Sequence, residues 1–589
     1  MTAANDHPPG ALAELIELLY RADWTKLSLA AEITDFCDYQ LRSQMIERGR
    51  AHRPGGAGYP DDETRERWQA RQSAGPSSIR LLLAPGGRFR QETSYRGGSA
   101  SALRFDRYGR WAAADEEGED HPGSPTIAQF AALAQPSWSE LLRPAWLPAR
   151  FALELAGTEI VADRQAVRVL ARPRPVGRTE AGPARFPTGL PAAHRRIPPG
   201  DEFVDQIDAL VDSDLGILLR CERRFEGQTV SRQEVTSITI APPEASDPGQ
   251  FEAPDYPESA DSGHESPFSG PGWQAAKNAV DLGATALSFA IRYGPHRTPS
   301  AQGKPAWTVD YPASADAGED GQPSQDEPVS AQIVTLLYEA GLRKTDFDGE
   351  LRTWLDGTVG ARALSATASR NRLPGLGRLA DAISETSWQR REAVKAGLPD
   401  RYRIEHLDGR RQRKSTTVAS DGRRRWRVYP DHVSVGPASP LPAELAQLAD
   451  PAWLLDWRLA GGAEVTWAGR RGFLVLIRPH YSEGVSMPPA EAVIDAELGI
   501  LLRLTGAPVG ALGLLYELSG VTVPPVRSPG DFTIDTPAGT RVDQETGGLL
   551  DEFEVPAPVK AAIQLAGKAF TGAAKVSSFL ESMRSRQDG

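Results

Sequence analysis

Along most of the chain, apolar and polar residues alternate in short runs, each closed by a turn pair. That two-residue period predicts antiparallel strands. Ile79-Arg80-Leu81-Leu82-Leu83 leads into Pro85-Gly86-Gly87 and then Arg88-Phe89-Arg90. Tyr402-Arg403-Ile404-Glu405-His406 leads into Asp408-Gly409, a hairpin dipeptide. Residues 151–155 (FALEL) and 166–170 (AVRVL) follow the same pattern. Helical spacing is rarer: it predicts helices over 11–22 and 331–340, and small-residue-rich helices over 273–293 and 556–584. Pro556 and Pro558 suit a helix start, where a missing N–H costs nothing. The fold class expected is α+β, with large curved antiparallel sheets and a few helices against their concave faces.

The pattern is written twice. Leu18-Leu19-Tyr20-Arg21-Ala22 matches Leu336-Leu337-Tyr338-Glu339-Ala340, and 63–68 loosely matches 385–388. Residues 133–138 (LAQPSW) match 448–453 (LADPAW), and 211–220 (VDSDLGILLR) match 494–503 (IDAELGILLR). Pro242-Pro243 answers Pro524-Pro525, and Gly249 to Phe251 answers Gly530 to Phe532. Six markers in one order indicate an internal duplication. The shift is 318 at Tyr20/Tyr338 and 283 at Gly216/Gly499, so the first copy carries 35 extra residues, 318 minus 283. Of these, 23 fall between Arg172 and Asp212, because Arg172/Arg478 shifts by 306. They are the Pro/Arg-rich stretch 174–200, a long loop that is either functional or without structure. The division expected is 9–254 for the first copy, a linker at 255–272 and its closing helix at 273–293. An acidic Pro/Gly linker follows at 294–328, then the second copy at 329–537 and its closing helix at 556–584.

Composition narrows the function. The 589 residues are 40% hydrophobic and 24% charged, an ordinary globular balance. Lys+Arg number 66 against Asp+Glu 78, a formal charge of -12, which argues against tight duplex nucleic-acid binding. Much of the acidity lies in linkers and in the run 115–120, read as a loop tip. Two cysteines, Cys37 and Cys221, exclude a disulfide framework. The N-terminus has no basic-then-apolar signal pattern and no long apolar run follows, so a cytoplasmic protein without a transmembrane segment is expected.

The succession of 166–169 (AVRV), the turn D-x-[DE]-x-G-[IL]-L-x-R at 212–220 and 495–503, a further strand and a Pro-rich exit resembles the LolA-like lipoprotein-carrier superfamily. That superfamily includes the LolA-type carriers, the mycobacterial lipid-binding lipoproteins and the N-terminal domain of the MucB/RseB regulators. The resemblance implies a half-barrel, an unclosed sheet covered by helices, that holds acyl chains in an apolar cavity. It implies no catalytic residues. This chain departs from the pattern in lacking an export signal and in fusing two copies.

No enzyme chemistry is evident. The nine His are scattered without H-x-x-x-H spacing, so no metal and no cofactor is expected. There is no G-x-S-x-G elbow and no phosphate loop. Asp212/Asp214 and Asp495/Glu497 recur in both copies, but in a hairpin turn, where Asp bonds its own backbone. The function expected is non-enzymatic binding of a lipid or other hydrophobic or amphipathic ligand. Apolar residues of the closing helices are the ligand-contact candidates: Trp273, Leu282, Leu287, Phe289, Ile563, Phe570 and Phe579. The alternative is a protein-interaction or regulatory module that uses sheet edges and a basic hairpin. Arg410, Arg411, Arg413, Lys414, Arg423, Arg424, Arg425 and Arg427 would then contact an anionic surface or protein, or simply form a solvated face. An apolar tunnel of several hundred Å³ would favour the first reading, and a filled core the second.

Overall fold

The computed structural model describes residues 10–51, 76–94, 100–105, 111–115, 138–174, 178–179, 182–183, 204–251, 327–343, 345–356, 387–407, 417–438, 441–478, 490–505, 513–524, 526–536 and 539–544. The strands of the first half are β1 (Leu29–Cys37), β2 (Ser77–Ala84), β3 (Arg88–Ser94), β4 (Ala100–Phe105), β5 (Trp111–Asp115), β6 (Phe151–Val161), β7 (Arg164–Pro173), β8 (Arg178–Thr179), β9 (Gly182–Pro183), β10 (Gln206–Asp212), β11 (Leu218–Phe225) and β12 (Gln228–Ile240). Ten of them form one open antiparallel sheet in the order β5-β4-β3-β2-β1-β12-β11-β10-β7-β6. β8 and β9 pair with each other.

In the second half come β13 (Phe347–Asp356), β14 (Ser387–Gly397), β15 (Arg401–His406), β16 (Thr417–Asp421), β17 (Arg424–Val428), β18 (His432–Pro437), β19 (Arg458–Trp467), β20 (Arg470–Arg478), β21 (Ala490–Asp495), β22 (Leu501–Thr505), β23 (Gly513–Thr522) and β24 (Arg541–Gln544). Their order is β19-β20-β21-β22-β23-β13-β14-β15-β16-β17-β18-β24. From β6 to β5 and from β19 to β17 the two sheets follow the same path. β18 and β24 are additions, and β24 is parallel to its neighbour and lies beyond residue 537.

The helices are α1 (Ala11–Arg21), α2 (Tyr39–Ala51), α3 (Ser139–Leu142), α4 (Trp146–Arg150), α5 (Ala331–Ala340) and α6 (Ala443–Ala449). Strand alternation decides which face they cover. In β1, Leu29, Ala31 and Ile33 are buried, whereas Glu32 and Phe36 on the opposite side are exposed. Helix α1 buries Leu15, Ile16 and Leu19, and α5 buries Ile333, Val334, Leu336 and Leu337 on the corresponding concave faces. The β6–β7 hairpin turns through Ala162 and Asp163 at φ 48° and 61°, and β19–β20 through Ala468 and Gly469 at 49° and 81°. Positive φ at both central residues matches the right-handed twist of the strands they join.

Each half also sends its exit across the opposite face. Phe251 packs with Ala84 and Ala245, and the Arg88 guanidinium lies 5.1 Å from its ring centroid. In the second half Arg401 lies 5.1 Å from the ring of Phe532, a fully buried residue.

One correspondence differs from the sequence reading. Trp146 donates its indole N–H to the Glu140 carbonyl at 3.0 Å, and Trp453 donates to the Gln447 carbonyl at 3.3 Å, six residues back in each case. The counterpart of Trp453 is therefore Trp146, within a repeated Pro-Ala-Trp-Leu, and not Trp138. The closing-helix spans 273–293 and 556–584, the linkers and most of 174–200 lie outside the described residues.

Candidate functional site

The repeated acidic turn is built for position. The Asp212 carboxylate accepts the backbone N–H of Asp214 at 2.9 Å and of Leu215 at 2.8 Å, and pairs with Arg164. Asp495 accepts from Glu497 at 3.0 Å and Leu498 at 2.8 Å, and pairs with Arg470. Burial pushes the Asp212 carboxyl up, but the Arg164 hydrogen bond and the two amides outweigh it, leaving the group below its usual value. Turn chemistry accounts for these carboxylates. The glycine of the motif has a separate reason. At Gly216, φ +70°, a Cβ would stand 2.5 Å from the Leu18 carbonyl; at Gly499, φ +74°, 2.6 Å from that of Leu336. The opening helix docks directly on the turn.

Among the described residues, buried side chains pack against both concave faces. In the first sheet Trp24, Phe89 and Trp138 form an edge-to-face triangle with centroids 6.0, 5.5 and 5.0 Å apart. Trp138 also donates to the Gln91 side chain at 2.7 Å. In the second, Tyr402, Ile404, Leu441 and Leu445 occupy the buried core. At the far end of the first concave face lies a polar group. Burial pushes the Asp35 carboxyl up, against a hydrogen bond from Gln233 and the charges of Arg223 and Arg42. Burial also pushes the neighbouring Cys37 thiol up, so it is a poor nucleophile.

The seven apolar ligand candidates, Trp273, Leu282, Leu287, Phe289, Ile563, Phe570 and Phe579, lie outside the described residues, as do Arg410, Arg411, Arg413 and Lys414. The remaining four basic candidates sit on β17 and the turn before it. Arg427 shares a row with Ile404, Val418 and Ser434, and Arg425 shares one with Tyr402 and Ser420. Tyr402 and Ile404 belong to the core, so Arg425 and Arg427 face the concave side. Arg424 and Trp426 alternate to the other face, and Arg423 is an exposed turn residue. The four therefore divide between two faces and a turn rather than forming one stripe.

Carboxylates accompany the arginines of the opposite face. Buried Asp208 takes Arg168 at 2.6 Å, with Arg224 at 3.7 Å and Arg220 at 3.9 Å. Glu350 pairs with Arg391 at 2.8 Å and Arg352 at 3.6 Å. Two surface depressions lie among the described residues. One, of about 400 Å³, runs between α1 and α5 beside Glu14, Glu17, Glu339 and Arg343. The other, of about 430 Å³, lies on the opposite face of the first sheet beside Phe36, Glu222, Arg232 and Glu234. Both are open and partly polar. Among the described residues no group of three or more His, Cys, Asp or Glu is placed to hold a metal ion. No described helix is long and apolar enough to cross a membrane.

No protein-family model matches the chain, and no curated protein sequence does. Among solved structures it is similar to MucB in the Pseudomonas aeruginosa MucA/MucB complex, at 15% identity and TM-score 0.23, over 41% of this chain and 63% of that one. The chain thus spans less than two thirds of MucB. An uncharacterized conserved protein from Thermus thermophilus matches at 13% identity and TM-score 0.21, over 36% and 98%. A LolA superfamily protein from Nitrosomonas europaea matches at 11% identity and TM-score 0.18, over 35% and 98%. The fold itself is established by the strand order above.

Proposed function

We propose that the chain is a non-enzymatic binding protein that docks a protein partner on its open sheet surface rather than holding lipid inside either described core. The observation that carries this reading is the packing of buried side chains on the described part of both concave faces: Trp24, Phe89 and Trp138 in the first, Tyr402, Ile404 and Leu445 in the second. A lipid-sized cavity would need that volume empty. The first sheet also ends in β6, and no described strand pairs with its outer edge. Ile160 on that strand is 80% exposed. A sheet edge presents a row of backbone donors and acceptors, which an extended peptide segment satisfies by adding a strand. Native mass spectrometry of the full chain tests this choice. The expected result is the bare 63.6 kDa species, with no acyl chain in its organic extract. A stoichiometric acyl adduct would overturn the reading and point to Trp273, Phe289, Ile563 and Phe570 as its contacts.

A further inference from the structure

The contact between the two halves is reciprocal. Tyr20 on α1 accepts a hydrogen bond from the Leu459 backbone N–H at 2.9 Å, and Tyr338 on α5 accepts one from Leu153 N–H at 2.7 Å. Tyr20 and Tyr338 hold the same place in the repeated pattern. Leu153 and Leu459 do so too, at the 306-residue offset of Arg172 and Arg478. Helix α1 packs on α5, and α4 packs on the 3-10 turn Pro451–Asp456. Each element meets its own counterpart. That is the geometry of a two-fold dimer, where one patch contacts itself.

The charges break that symmetry. Arg150 and Asp456 stand at the same 306-residue offset, yet one is basic, the other acidic, and they pair at 3.0 Å. Arg143 reaches the same Asp456 carboxylate at 3.4 Å. Arg174 pairs with Asp450 at 2.9 Å, both nearly buried, and donates to the Tyr338 carbonyl. Every arginine of this set lies in the first half and both aspartates lie in the second. Two first halves in this arrangement would set Arg150 against Arg150, and two second halves would set Asp456 against Asp456. Like charges at such a distance, partly withdrawn from water, repel strongly.

We propose that this surface is an autonomous docking site whose partner is the unlike half, with Arg143, Arg150 and Arg174 against Asp450 and Asp456 as the charge code selecting that pairing. The covalent connection through 252–326 is then dispensable once the chain has folded. The test uses the full chain with a protease site placed in 252–326 and cut after purification. The two fragments are expected to stay together as a 1:1 complex on size exclusion at 0.15 M salt. Asp456→Arg, nicked in the same way, should weaken the complex at least tenfold. The triple variant Arg143→Asp, Arg150→Asp, Asp456→Arg should recover most of that loss, which a variant that merely misfolds would not do. Separation of the wild-type fragments, or failure of the triple variant to recover the complex, would overturn the proposal.

Discussion

The two sheets trace the same path with different fillings. Where the first places Trp24, Phe89 and Trp138 in a triangle, the second uses Tyr402 with Leu441 and Leu445. On the opposite faces the contrast is sharper. Asp208 gathers Arg168, Arg220 and Arg224, whereas in the second half Arg503 is fully buried with its guanidinium 4.8 Å from the Trp467 ring centroid. Burial pulls that guanidinium down, opposed by Glu517 and Glu491. What stays constant is the frame: period-two burial, positive-φ hairpins and a glycine under the opening helix. Side-chain identity inside the frame differs because a core tolerates different apolar residues so long as their volume is kept, while the charges of both halves stay beside opposite charges.

Two measurements sharpen that comparison. The larger effect concerns the reciprocal tyrosines. Burial pushes the Tyr20 hydroxyl up to about 12 from its usual 10, and burial raises Tyr338 as well. Between those values the folded chain keeps the Tyr20 proton and the unfolded chain loses it, so stability falls as pH rises from 10 towards 12. At about 1.4 kcal/mol per unit, the loss is on the order of 2–3 kcal/mol. Urea denaturation across that range should show it, and Tyr20→Phe should flatten the slope. The same slope in Tyr20→Phe as in the wild type would mean the hydroxyl is not held across the contact.

The smaller effect tests the shared frame. Gly216→Ala and Gly499→Ala should each cost about 2 kcal/mol, from a left-handed backbone and a Cβ pressed on a helix carbonyl. Chemical denaturation of the two variants is expected to give losses within about 0.5 kcal/mol of each other, since both glycines have the same left-handed backbone and sit equally close to a helix carbonyl. A clear loss in one and none in the other would mean that the opening helices dock differently.

Much of the frame was readable in the residues. Alternation at 79–83 and 402–406 marked real strands, and helices predicted at 11–22 and 331–340 are α1 and α5. The repeated turn motif points to turn chemistry, and Asp212 and Asp495 cap their own loops. The half-to-half contact was not readable. In the sequence Arg174 opens a Pro/Arg-rich stretch, and nothing near it names Asp450 as its partner. The LAQPSW string competes with the Pro-Ala-Trp-Leu at 144–147, its Trp eight residues further on, which 451–454 repeats, and the indole bonds decide for Trp146 as the counterpart of Trp453. β24 carries no strong alternation and is placed by pairing with β18. Local pattern specifies an element; which elements meet depends on contacts far apart in the chain.

A single buried cluster runs from Leu15 and Trp138 to Tyr338 and Leu518, so both halves belong to one core. Differential scanning calorimetry of the full chain tests it most directly. One transition with equal calorimetric and van't Hoff enthalpies is predicted. Two resolved transitions, each carrying about half the heat, would contradict it.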